Sequence, residues 1–296
     1  MPYSYMHVTA IGIDRKARSQ KHGLTPPQFA VVVAMWKVKE SPGFLMGFKG
    51  WSIMASSEIL NALDMAKPRT VSDFLDWVTK KEEDLSAIPK AEQFIGSTLK
   101  TKFYDEIYPL SVYVKREYSN SPGVIITPNL NSDNFDATVT FKGLPSKVFI
   151  EITRAKNGHA ESLRMEALAR DGCVPWGDAG PIASVSGRKG APNRVVEILP
   201  KVVDRTDELL AEHFLLVKTT VNAKAGGRRY GGNFILLVIV DDYDHFQTDS
   251  DHAKLDGFIR SNLLCTDLDF ARLIIFGISG KLHLSYNLPR YNTAML

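Results

Sequence analysis

Stretches whose apolar residues recur every three or four positions alternate along the chain with stretches whose apolar residues alternate or run together, the signatures of helix and strand. Helical spacing dominates residues 25–85. TPPQFAVVVAMWKV sets a threonine cap before prolines suited to a first helical turn. SSEILNALDMA and TVSDFLDWVTKKEEDL follow, each opening on Ser or Thr with an acidic residue close behind. The charged run KKEEDLSAIPKAEQ reads as a surface connection with a soft boundary near residue 86. Residues 1–86 are therefore expected to be mainly helical and residues 87–296 to form a second unit.

In that second unit AEQFIGSTLKTKFYDEI puts Ile95, Leu99, Phe103 and Ile107 at helical spacing. LSVYVKREYS, FDATVTF and KVFIEIT read as three strands, and KGLPSK, with Gly143 and Pro145, turns the last two back antiparallel. NGHAESLRMEALARDG is an amphipathic helix stopped by Gly172. A helix capped by Thr206 carries Leu210, Phe214, Val217 and Val221 on one stripe. FILLVIVDD is continuously apolar, as a strand covered on both faces should be, and ARLIIFGISGKLHLSY adds two strands around Gly280. The order predicts an α/β fold: a mixed β-sheet core flanked by helices, KVFIEIT and FILLVIV as interior strands, and a helical N-terminal extension.

Composition narrows the function classes. The chain has 296 residues, 44% hydrophobic and 23% charged, enough to bury a core without crosslinks. A net charge of +3 is mild, so any nucleic-acid partner must be met by local clusters. Cys173 and Cys265 are far apart, without other Cys or His at ligand spacing, which argues against a disulfide framework or a zinc site and fits a reducing compartment. The first residues lack the apolar core of a secretory signal. FAVVVAMW, residues 29–36, falls short of the roughly 20 residues a bilayer needs. A cytoplasmic protein with no membrane segment is expected.

Candidate chemistry comes from strand alternation. Asp136, Thr138 and Thr140 share one face of FDATVTF, and Phe149, Glu151 and Thr153 share one face of KVFIEIT. If the turn pairs these strands, Asp136 and Glu151 meet on one sheet face. Two close carboxylates repel, and a hard divalent cation relieves the repulsion; Mg²⁺ binds through one or two carboxylates, water and phosphate oxygens. Mg²⁺, with Mn²⁺ as substitute, is the expected cofactor, held by Asp136 and Glu151.

An Asp at the end of one strand, an acid inside the next and a Glu on a preceding helix resemble the PD-(D/E)XK nuclease superfamily, the fold of many restriction endonucleases and DNA-repair nucleases. The resemblance covers residues 91–240 and implies a restriction-endonuclease-like core that hydrolyses phosphodiester bonds, in DNA first and with RNA left open, in a restriction-type or defence role. It implies Asp136 as the family's Asp, Glu151 as its strand acid and Glu92 as its helix acid. One position departs from the pattern: the motif lysine, two residues past the Glu, is Thr153. A threonine hydroxyl can hydrogen-bond a water but brings no positive charge. Some members supply that cation from a neighbouring helix. Lys218 and Lys224 each flank the apolar stripe of helix 206–225 by about 60°, and Lys218 is preferred because Lys224 lies near the helix end.

The basic, glycine-bearing segments SGRKGAPNR (Arg188, Lys189, Arg194) and KAGGRRY (Arg228, Arg229) suit contacts to a nucleic-acid backbone. His159 and Arg164 follow the acid strand, His159 being read as a solvated neighbour of a helix start. Two other readings compete. One is a catalytically degraded nuclease fold serving as a nucleic-acid-binding or assembly module, which the missing lysine favours; the other is an unrelated α/β enzyme in which Glu151 is structural. The oligomeric state is not legible, and a homodimer stays among the options. If SGRKGAPNR grips a nucleic-acid backbone, replacing Arg188 and Lys189 with Ala weakens binding without sequence bias. The slope of log K against log salt then shrinks by roughly 0.9 per lost contact on duplex DNA; an unchanged slope removes the loop from the interface.

Overall fold

The structure is a computed structural model and describes residues 59–88, 98–131, 133–171, 182–188, 194–198, 206–226, 230–242, 246 and 248–291. Residues 52–296 belong to one compact unit. Most of the expected N-terminal helical region, TPPQFAVVVAMWKV included, lies outside the described residues. Its described part is a short helix α1, Ala62–Met65, a two-residue strand β1, Arg69–Thr70, and helix α2, Val71–Ser86. The boundary expected near residue 86 falls inside the compact unit, because β1 pairs with the sheet and α2 packs its Phe74 and Val78 into the sheet's core.

The next helical stretch has three parts: α3, Thr98–Lys102; a π-helical turn, Phe103–Ile107; and α4, Tyr108–Tyr118. The strand expected at LSVYVKREYS is thus helix. Leu110, Tyr113 and Val114 are buried at helical spacing, and the segment continues a helix already under way. The first strand of the meander is instead VIITP, β2, Val124–Pro128. It starts after Gly123, whose φ of +87° is readily adopted by glycine in the turn.

Strands β3, Ala137–Phe141, and β4, Lys147–Arg154, pair antiparallel as expected. Helix α5, Gly158–Asp171, carries a small hairpin, β5, Ile182–Ser186, and β6, Val195–Ile198, packed on it through Leu163, Ala167 and Val196. Helix α6, Thr206–Ala225, leads to β7, Gly231–Val240. Helix α7, Asp249–Asn262, connects β7 to β8, Phe270–Gly277, and β9, His283–Asn287, closes the sheet. The sequence reading has no counterpart of α7. Its start is nevertheless marked by a reciprocal capping box between Thr248 and Asp251.

Among the described residues, seven strands form one mixed sheet in the order β1-β2-β3-β4-β7-β8-β9. Pairing is antiparallel from β1 to β4, parallel across β4, β7 and β8, and antiparallel again at β9. Side-chain alternation divides the core. Ile150, Ile152, Leu237 and Ile274 pack with α2, the π turn and α4, whereas Leu236, Val238, Leu273 and Ile275 pack with α6 and α7. Both faces of β7 are covered, which explains its uninterrupted apolar run. The expected interior strands, KVFIEIT and FILLVIV, are interior. No helix among the described residues is long and apolar enough to cross a membrane.

Asp242, just past β7, is fully buried. It accepts from the Ser279 amide at 2.8 Å and also from the Ser279 hydroxyl, which ties the β8–β9 turn to the end of β7. Gly277 makes this approach possible: a Cβ there would lie 2.0 Å from Asp242 Oδ2. Gly277→Ala is therefore expected to destabilise the protein by about 1–3 kcal/mol in urea denaturation, as overpacking does. Gly158→Ala, where an added Cβ meets nothing within 4 Å, should not lower stability.

Candidate active site

β4 is the strand at which the sheet changes from antiparallel to parallel pairing, and it carries the polar chemistry. Glu151 stands in register with Leu236 of β7 and is only 3% exposed, on the face covered by α6. A carboxylate there must be paired or lose its charge. It is paired: Lys224 Nζ, from the last turn of α6, donates to Glu151 Oε1. The lysine side chain is about one-third exposed, so its stem runs along the apolar edge to reach the acid.

Asp136 immediately precedes β3. Its amide donates to the Ile150 carbonyl at 2.8 Å, and its Oδ2 accepts from the Ile152 amide at 2.7 Å. Asp136 thus grips the β4 backbone on either side of Glu151, which brings the two acids to the same level of the sheet. Thr153 lies two residues further on, half-buried and in register with Val238.

Lys218, preferred as the cation, points elsewhere: its Nζ donates to Asn262 Oδ1 at 3.4 Å. The two lysines flank the apolar stripe of α6 on opposite sides. One side faces α7 and takes Lys218; the other faces β4 and takes Lys224. Position along the helix matters less here than side.

A further carboxylate enters from the π turn. Glu106 is 23% exposed, with Lys102 Nζ 3.3 Å from its Oε2. Its pKa is raised, first by burial and then by the charge of Asp136, with Lys102 opposing and Asp105 adding to the rise. Glu106 is therefore a helix acid whose charge Asp136 feels, whereas Glu92 lies outside the described residues. The acidic pair Asp105-Glu106, set between the apolar Phe103 and Ile107, is the signal in the sequence that marks it. Asp105 faces the end of β4, where it pairs with Arg154 at 2.9 Å and with Lys156 at 3.2 Å.

Arg188 is exposed, whereas Arg194 Nε sits 2.6 Å from Glu166 Oε1 on α5. Lys189, Arg228 and Arg229 lie outside the described residues. His159 is exposed at the start of α5, and Arg164 lines a cavity at the end of β4.

The acid pair is a hard-oxygen donor set of the type Mg²⁺ takes. Glu151 accepts from Lys224, and Asp136 from the Ile152 amide. No group of three or more His, Cys, Asp or Glu side chains among the described residues is arranged to hold a metal ion. The chain has no match among protein-family models, curated proteins or solved structures.

The raised pKa of Glu106 means that folding favours its protonated form. The penalty for ionising it is present above the raised pKa and disappears below the ordinary glutamate range. Glu106→Gln should therefore melt at a higher temperature than the parent at pH 8. The gap should close as the pH is lowered to about 3, below the ordinary glutamate range, where the parent's carboxyl is protonated in both states. A pH-independent difference in thermal melts would exclude a role for ionisation of Glu106 in that gap.

Proposed function

We propose that the protein is a metal-dependent endonuclease of the PD-(D/E)XK type that hydrolyses phosphodiester bonds in DNA. The observation that carries the reading is the buried Glu151 on an interior strand, paired with a lysine from the neighbouring helix and flanked by Asp136. In that reading Asp136 and Glu151 hold Mg²⁺, and Glu106 adds negative charge from the preceding helix. Bound there, such an ion would supply a lowered pKa to an attacking water and countercharge to the phosphate. Lys224 replaces the motif lysine displaced by Thr153: its ammonium orients the water and stabilises the developing negative charge. Thr153 contributes a hydroxyl that can hydrogen-bond the same water. A restriction-endonuclease-like arrangement of the sheet is part of this proposal, and exposed Arg188 is its described candidate for a backbone phosphate contact.

A second reading is favoured by the direct contact of Lys224 with Glu151 and by the threonine at position 153. The ion pair then replaces the metal, and the protein is a nucleic-acid-binding or assembly module. Plasmid cleavage with Mg²⁺ or Mn²⁺ against EDTA separates the two. Glu151→Gln should abolish both cleavage and the thermal stabilisation given by Mn²⁺. Lys224→Ala should leave the metal-induced stabilisation in place, because an ion at the acid pair compensates the buried carboxylate, and should lower turnover by about 10²–10³. DNA retardation without cleavage by the parent protein would favour the module. Undiminished Mn²⁺ binding by Glu151→Gln would remove Glu151 as a ligand and the nuclease reading with it.

A further inference from the structure

The last turn of α4 sets Arg116 and Glu117 against the hairpin of β8 and β9, away from the acid pair. Glu117 Oε2 accepts from Arg272 Nη1 of β8 at 3.0 Å, and Arg272 Nε donates to the Ser285 hydroxyl of β9 at 2.7 Å. Arg116 Nη1 donates to the Gly280 carbonyl of the turn at 3.4 Å. His283, the first residue of β9, sits among these groups with its side chain 10% exposed. Its ring stands perpendicular to that of Phe276, with centroids 5.9 Å apart. Nε2 lies 3.4 Å from Glu117 Oε1, yet it has no hydrogen-bond partner among the described residues.

A neutral imidazole suits this slot and a charged one does not. Glu117 already answers Arg272, and Arg116 stands beside it on the same helical turn. Protonation of His283 would set a further cation against that one carboxylate. Burial first, then Arg116, with Arg272 adding, hold the imidazole below the ordinary histidine range, and Glu117 offsets them only in part. Tyr113 and Tyr118 of α4 feel the same Glu117 and Arg272, but burial raises both phenols, so neither titrates together with His283. A histidine whose pKa is lowered by folding contributes fully above about 6.5, and that contribution is lost as the pH falls towards the lowered value.

Two anchors limit what acid can open. Asp242 accepts from the Ser279 amide at 2.8 Å and keeps the turn on β7. The Tyr286 hydroxyl donates to Asp256 Oδ1 at 2.7 Å and keeps the end of β9 on α7. Between these anchors lies the seam between His283 and the last turn of α4. We infer that His283 is an acid-operated clasp: protonation expels its ring from beneath α4 and opens this seam at the sheet's edge, while the turn and the end of β9 stay in place. The clasp requires neither a metal nor a nuclease.

The test is NMR on the full chain across pH 7.5 to 5. The His283 imidazole should titrate below about 6.5. Amide-exchange protection, corrected for the intrinsic pH dependence of exchange, should fall about ten-fold between pH 7 and pH 5 in the last turn of α4 and at Leu284, one unit of pKa difference being a factor of ten. The Leu288 amide, which donates to the Ala271 carbonyl at 3.0 Å, should keep its protection. His283→Gln, which stays polar and cannot titrate, should hold the seam's protection level over the same range. A His283 pKa at or above the ordinary range would overturn the proposal, and that measurement needs no variant. So would a seam whose protection does not fall in the parent, or falls equally in folded His283→Gln. Protection lost at Leu288 together with the seam would mean global unfolding and would overturn it too.

Discussion

A carboxylate at the centre of a covered sheet has to be answered by a cation, and the pairing of Glu151 with Lys224 constrains far more than two side chains. It sets the rotation of α6 about its own axis. With Lys224 turned to β4, the stripe of Val217 and Val221 lies over Leu236 and Val238, and Lys218 is carried round to Asn262 on α7. Breaking such a pair by removing one partner leaves an uncompensated buried charge, which costs more than the pair itself contributes. Glu151 is therefore retained either for structure that could be had more simply with apolar residues, or for chemistry.

The rest of the sheet leaves little room for polar groups. β7 is apolar on both faces because helices cover both, and β8 departs from this at Arg272, which pairs with Glu117 of α4. Asp136 sits where β3 begins and can spend its carboxylate on the β4 backbone. Asp242 closes the far side in the same way, holding the β8–β9 turn. These acids are placed by strand ends, where alternation stops dictating which way a side chain faces.

How much of this is legible in the sequence depends on how local the determining force is. FILLVIV and KVFIEIT are legible because short, almost wholly apolar runs rich in β-branched residues suit a covered strand better than a helix face or a loop. The level shared by Asp136 and Glu151 follows from a period of two and a short turn. LSVYVKREYS misleads because its alternating apolar residues also match helical spacing, and the helix in progress settles the ambiguity. VIITP escapes notice because a five-residue strand after a glycine turn carries little signal of its own. Distance from the helix end favours Lys218 over Lys224. What decides between them is which neighbour lies on each side of α6, a tertiary fact with no local trace. Glu106 is missed for a related reason: its importance lies in the charge of Asp136, thirty residues later in sequence.

The π turn joins two neighbouring carboxylates with different duties. Asp105 holds the cations at the end of β4, and Glu106 faces the field of Asp136. Asp105 is itself among the charges that resist ionisation of Glu106. The two positions are consequently linked in the thermodynamic sense. Whatever screens Asp105 makes Glu106 easier to ionise. Five residues of helix thus set one carboxylate against the basic end of β4 and the next in the field of Asp136.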